Sequence, residues 1–326
     1  MLKMKLANRL TSLIIAGVLL SSLSFTSCKK DNNGTDSGNA QTSMAVTDAA
    51  IDDPNVSGVF VTITDVKLDG QSVQGFTKTT IDINSLRNGS IKSIGTFNLQ
   101  GKNYGSVTFV LDYAHDASGN APGVYVVTTD NTKHALTSSN SSITVTKNFT
   151  LSDTAHNAIV ADFDLRKMII HPTTGDTASY KLVTDAELQN SIRIVNQNAS
   201  ATISGTFTRT NDSSDAVIAY LYKKGTYSIA ETQGQGSSNI QFSHSVTSTI
   251  VGQDGSYKFS YLDSGSYEIH FANYRDVYHN GRLKLVAIYT AAINNIQQDI
   301  LNFLIQLRAI ITGIDITASA EVTVND

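Results

Sequence analysis

From Met44 to Val324 the chain is a succession of short segments in which apolar and polar residues alternate with a period of two. That period belongs to half-buried antiparallel strands, because successive side chains of a strand point to opposite faces. Val59, Val61 and Ile63 share one face, as do Val107, Phe109, Leu111 and Tyr113. Ile159, Ala161, Phe163 and Leu165 form another apolar face, and the opposite face of the same strand carries Asp162 and Asp164. Leu86-Arg87-Asn88-Gly89 and Ala117-Ser118-Gly119-Asn120 read as turns, where Gly and Asn tolerate positive φ. So many short strands predict an all-β chain built as antiparallel β-sandwiches.

The polar stretch Asn196 to Ser200 divides the pattern, giving one sandwich domain over 44–200 and a second over 201–326. With only three prolines, the chain has no rigid Pro-rich linker at that boundary. Val217, Ala219 and Leu221, then Tyr257, Phe259 and Tyr261, then Tyr267, Ile269 and Phe271, then Leu283, Leu285 and Ala287 continue the β pattern. Between Ala291 and Ile311 the period changes: Ile293, Ile296, Ile300, Leu304 and Leu307 recur at helical spacing. This predicts a C-terminal amphipathic helix, with a strand pair left open by the richness in Ile.

The first 27 residues have the layout of a secretory leader: Lys3, Lys5 and Arg9, an apolar run from Leu13 to Leu20, then small polar residues leading to Cys28. The run is shorter than the roughly 18 to 20 residues needed to span a bilayer. Cys28 is the only cysteine, so it has no disulfide partner within the chain, and its position predicts lipidation. Residues 28–43 are rich in Lys, Asp, Asn, Gly, Thr and Ser and read as a flexible tether. The leader holds three of the 24 basic residues and none of the 28 acidic ones, so the remainder carries a net charge of −7. Nucleic acid is therefore not an expected partner. The expected address is the outer membrane, facing either the periplasm or the cell surface.

Three resemblances rest on these residues. Phe25-Thr26-Ser27-Cys28 resembles the lipobox cut by the bacterial lipoprotein signal peptidase, which implies acyl chains such as palmitate on Cys28. Met44-Ala45-Val46-Thr47-Asp48, Thr64-Asp65-Val66, Ala161-Asp162-Phe163-Asp164 and Ile192 to Phe207 resemble an uncharacterised domain family found behind the lipobox in Gram-negative lipoproteins. Further on, Asp254-Gly255-Ser256-Tyr257-Lys258-Phe259 and Leu262 to Ile269 are similar to the hairpin of transthyretin-like domains, including carboxypeptidase regulatory-like and Cna B-type modules. That resemblance implies a spacer, stalk or interaction module.

Motifs for chemistry are sparse. None of the seven His forms a His-Glu-x-x-His pattern, and no nucleophile elbow or phosphate-cradling glycine loop occurs. Gly234-Gln235-Gly236-Ser237 reads as a polar loop, and Asp112-x-x-His115-Asp116 as another. Asp162 and Asp164 could gather a hard cation such as calcium or keep their face wet, and Asp276 with Asn280 and Gly281 forms a comparable loop. His270 reads as a sandwich surface residue. Asp153-Thr154-Ala155 and Asp176-Thr177-Ala178 resemble acceptor triplets for O-glycosylation, at Thr154 and Thr177. The expected function is a membrane-anchored, non-enzymatic binding or structural module for an envelope protein or glycan, with no required cofactor. A glycan-processing enzyme with dispersed carboxylates and an accessory subunit of a surface fibre are the alternatives.

Overall fold

The computed structural model describes residues 38–49, 51, 53–170, 180–209, 216–277, 283–293, 303–306 and 308–324. Cys28, the leader, Thr177, Asn280 and Gly281 lie outside them. The fold is β throughout, with two short α-helices, Leu165–Met168 and Asp185–Asn190, among the described residues.

The first half packs two sheets face to face. One sheet has four strands, in the order Ile192–Asn196, Asn157–Asp164, Asn39–Ala49 and Lys92–Gln100. The other centres on the long strand Val56–Leu68, flanked by Tyr125–Thr128 and Lys133–Ala135 on one side and by Asn103–Leu111 and Ser142–Thr150 on the other. Met44, Val46, Ile159, Ala161 and Phe163 meet Val59, Val61, Ile63, Val107 and Phe109 in one buried core. Phe109 and Phe163 join the layers edge to face, with ring centroids 5.4 Å apart. The turns read from sequence are present: Asn88 and Gly89 have φ of 60° and 82°, and Gly119 has 88°.

Asn39–Ala49 corrects the tether expectation, since the strand starts within the stretch assigned to the tether. It pairs in parallel with Asn157–Asp164 and antiparallel with Lys92–Gln100, so residues 39–43 form part of a central strand. Their polarity hid this. Lys92–Gln100 pairs with all of residues 39–43, Asn157–Asp164 adds a second side from Thr42 onward, and Thr42 is fully buried.

Among the described residues, the second half is one nine-stranded sheet. Its main path runs Thr247–Ile250, Ala216–Lys223, Gly265–Arg275, Lys284–Ile293, Ile316–Thr323, Ala201–Thr208 and Ser256–Leu262. Phe207 and Phe271 lie on strands three places apart in that order, yet their rings stack at 4.1 Å. The sheet therefore curls around its core, where Tyr257, Phe259, Tyr267, Ile269 and Tyr289 are also buried. A second cluster of Ile218, Tyr220, Tyr222, Phe242 and Tyr274 packs separately from that core.

Two further expectations are corrected here. Ser256–Leu262 and Gly265–Arg275 are consecutive but do not pair as a hairpin; the first pairs with Ala201–Thr208, the second with Ala216–Lys223 and Lys284–Ile293. The connection crosses the core instead, with Tyr257 and Phe271 meeting edge to face at 5.5 Å. Alternation reports which face is buried and is silent about which neighbour supplies the hydrogen bonds. The amphipathic helix expected over 291–311 is corrected where the chain is described: Ala291 to Ile293 pair with Ile316 to Ala318, Phe303–Ile305 pairs with Gly265 to Tyr267, and Ile310–Ile311 pairs with Thr202 and Ile203, while Ile296, Ile300 and Leu307 lie outside the described residues. β-Branched isoleucine favours the pleated ladder once a partner strand is available.

Candidate functional site

Asp162 and Asp164 project from one face of their strand, as alternation requires, and that face is set against cationic side chains. Both residues are buried. Arg193, directly across the ladder on Ile192–Asn196, places Nη2 2.6 Å from Asp162 Oδ2. Asp164 lies 3.2 Å from Lys167 Nζ and 3.8 Å from Arg166 Nη2. No cluster of three metal-binding side chains occurs among the described residues. Burial pushes the Asp162 carboxyl up despite Arg193, and it pushes the Lys167 ammonium down despite Asp164.

The same cations bind the two halves together. Arg166 donates to the carbonyls of Gln241 and Phe242 and to Ser245 Oγ, and its guanidinium lies over the Tyr220 ring at 4.9 Å. Lys167 donates to the Ser245 carbonyl at 2.5 Å. Arg193 donates to the Tyr261 carbonyl, while Tyr261 Oη donates to the Gly89 carbonyl at 2.8 Å. Residues 229–246, a strap between Ala216–Lys223 and Thr247–Ile250, are thus fastened to the first half. Glu187 adds a further tie: its carboxylate accepts from Ser238 N, Ser238 Oγ, Thr184 N and Thr184 Oγ1. Burial raises that carboxyl, but the four donors outweigh it and hold the group at about 2.

Within the strap sits a buttressed imidazole that sequence reading did not single out. Glu231, buried, accepts from His244 Nδ1 at 2.6 Å and from His244 N at 3.1 Å, and it also accepts from Tyr222 Oη at 3.0 Å. The His244 side chain is 67 % exposed. It opens onto a cleft of about 450 Å³ shared with Lys167, Glu187, Asn190, Gln235, Gly236, Ile240 and Ser243. A second cleft of about 340 Å³, reaching Asp162 and Arg193, adjoins it through Lys167 and Asn190. Glu231 and His244 are thirteen residues apart in irregular chain, so no spacing rule brings them together; only the polar loop Gly234 to Ser237 marked the region.

The other expected polar positions are accounted for. Asp112 pairs with Lys78 at 2.8 Å and accepts from Ala114 N and His115 N, which hold its carboxyl at about 2. His115 is exposed, and Thr154 lies exposed in a loop. Asp276 follows Gly265–Arg275 and is partly buried. His270 is a correction: it is not a surface residue but stacks on Tyr227 at 3.6 Å, with Nε2 3.7 Å from the buried Glu268. Glu268 in turn accepts from Gly225 N and Tyr227 N, so the residues before the strap are anchored here.

No curated protein matches the chain. Solved structures similar to it include the TIE protein of Bacillus anthracis, at 13% identity over 86% of this chain and 34% of that one, TM-score 0.20. The chain thus spans about a third of that protein's length. Also similar are the minor pilin GBS52 of Streptococcus agalactiae, at 13% identity over 88% of this chain and 99% of that one, TM-score 0.21, and the major pilin subunit of Bacillus cereus, at 10% identity over 86% and 71%, TM-score 0.21. Residues 39–184 match the model of the family described as Domain of unknown function (DUF4382).

Proposed function

We propose that this chain is an exported lipoprotein, anchored by acyl chains on Cys28 to the outer membrane, whose two β halves act as a non-enzymatic binding or structural module of the cell envelope. The leader and the lone cysteine behind it support the address. One structural observation carries the role. The acidic side chains best placed for chemistry, Asp162 and Asp164, are buried and matched with cations that also cross-link the halves. Carboxylates committed in this way serve a rigid scaffold better than proton transfer, which needs a group within reach of a substrate. A rigid scaffold suits a module that presents surface to an envelope protein or glycan.

The test joins address to role. Proteinase K is applied to intact and lysed cells expressing the protein or its Cys28→Ala variant, and envelope components captured by the wild type are identified. Membrane release of the variant together with a reproducible captured partner is the expected result. A variant that stays in the membrane overturns the lipid anchor. Catalytic turnover of a glycan by the purified protein overturns the non-enzymatic role.

A further inference from the structure

The turn that leads into the strap is held by one buried carboxylate. Glu268 Oε1 accepts from Tyr227 N at 2.9 Å, and Oε2 accepts from Gly225 N at 2.9 Å. His270 Nε2 stands 3.7 Å from the same Oε1, too far for a hydrogen bond, and this buried nitrogen has no hydrogen-bond partner among the described residues. Tyr227 covers the imidazole face to face at 3.6 Å, and Tyr222 meets it edge-on at 5.7 Å. The His270 side chain is 10 % exposed, so solvating the ring requires Tyr227 to lift. Burial pushes the Tyr222 and Tyr227 phenols up, which keeps both neutral in acid. Glu231, at the start of the strap, is engaged by Tyr222 Oη and by His244.

Protonation changes what the ring asks of Glu268. An imidazolium donates from both nitrogens, so Nε2 then carries an N–H beside Oε1. Reaching charge-assisted hydrogen-bond length requires the two groups to close by about 0.9 Å, a movement that draws the carboxylate off the turn. We propose that His270, Glu268 and Tyr227 form an acid-sensitive catch, in which protonation of His270 loosens the hold of Glu268 on the Gly225 and Tyr227 amides and frees the near end of the strap. The direction follows from burial, which lowers the His270 pKa to about 4 with only partial compensation from Glu268. The proton therefore binds the freed arrangement, with its solvated ring, more tightly than the held one. The far end stays fastened to the first half, because Glu187 accepts from Ser238 N, Arg166 donates to the Phe242 carbonyl and Lys167 donates to the Ser245 carbonyl. Opening is thus confined to the turn and the first residues of the strap.

The test measures amide hydrogen exchange of the intact, detergent-solubilised protein at two acidities, about pH 6.5 and about pH 5, with rates corrected for the intrinsic pH dependence of exchange. Protection across 225–231 should fall about tenfold over that interval, while 238–245 keeps its protection. His270→Phe retains a ring beneath Tyr227, and His270→Gln retains a neutral polar group; each should abolish the fall, and either one that folds is enough for the comparison. The proposal is overturned if 225–231 of the wild type keeps or gains protection in acid. It is equally overturned if a folded His270 variant still loses protection there, which assigns the effect to a carboxylate, or if 238–245 opens together with 225–231, which makes the change global.

Discussion

At the scale of the single residue, the most informative groups are those whose ionisation the fold opposes. Asp48, buried at the end of the Asn39–Ala49 strand, makes no ion pair among the described residues. Burial, then the nearby carboxylates of Asp162 and Asp164, push its carboxyl well above 3.8, against a weaker pull from Leu165 N–H and Arg87. A raised carboxyl stabilises the fold when protonated and loses that contribution as pH rises through its folded value. Asp48→Asn should therefore raise stability at pH 7 by about 1–3 kcal/mol, the usual cost of a poorly compensated buried polar group. Urea denaturation should show the gain shrinking toward pH 4. His270 has the opposite pH sense. Burial, only partly offset by Glu268, lowers its pKa from 6.5 to about 4, so its neutral form is the folded form. Wild-type stability should fall as pH drops from 6.5 to 4, and His270→Phe should flatten that limb of the pH–Tm profile. Sequence placed Asp162 and Asp164 on one face correctly but not the burial of that face. Alternation separates two faces of a strand; which faces meet another layer depends on chain returning from far away, here the strap.

At the scale of the element, close approaches outweigh side-chain preference. A Cβ on Gly205 would stand 1.8 Å from the Ile314 carbonyl, which also accepts from Tyr257 Oη. Gly205→Ala must push apart Ala201–Thr208 and the chain entering Ile316–Thr323. It should destabilise by at least about 2 kcal/mol, read as a lowered midpoint in urea, with the m-value unchanged. Legibility follows the same logic. Strands such as Val56–Leu68 and Asn103–Leu111 were plain because Val59, Val61 and Ile63 in the one, and Val107, Phe109 and Leu111 in the other, put apolar residues at every second position. The strands Phe303–Ile305 and Ile310–Ile311 were not, since an Ile-rich segment spaced for a helix face also suits strands that find partners, and periodicity cannot see the partner. The absent hairpin between Ser256–Leu262 and Gly265–Arg275 failed for a related reason: short spacing suggests adjacency, whereas here the chain passes from one end of the curled sheet to its middle.

At the scale of the whole molecule, the strap makes the halves interdependent. Arg166 is 4 % exposed and serves two strap carbonyls, a hydroxyl and an aromatic ring. Arg166→Gln removes the cation and leaves Asp164 with Lys167 alone. Breaking such a buried network costs about 3–5 kcal/mol. Calorimetry should show one transition for the wild type and two for the variant, and hydrogen exchange should rise across 229–246 in the variant. Nothing local in the sequence announced this junction, because its contacts pair cations near 166 and 193 with backbone carbonyls near 241 and 261. Backbone acceptors leave no mark in composition.

The placement of Asn39–Ala49 has a mechanical consequence. This first described strand is flanked on both sides, eight of its residues in register with Asn157–Asp164 and eight with Lys92–Gln100. A load entering along it from upstream acts parallel to the strand, so two ladders are sheared together and their bonds share the force. The chain meets tension with a strand braced on both sides, as a rope is spliced into a sail at a reinforced corner.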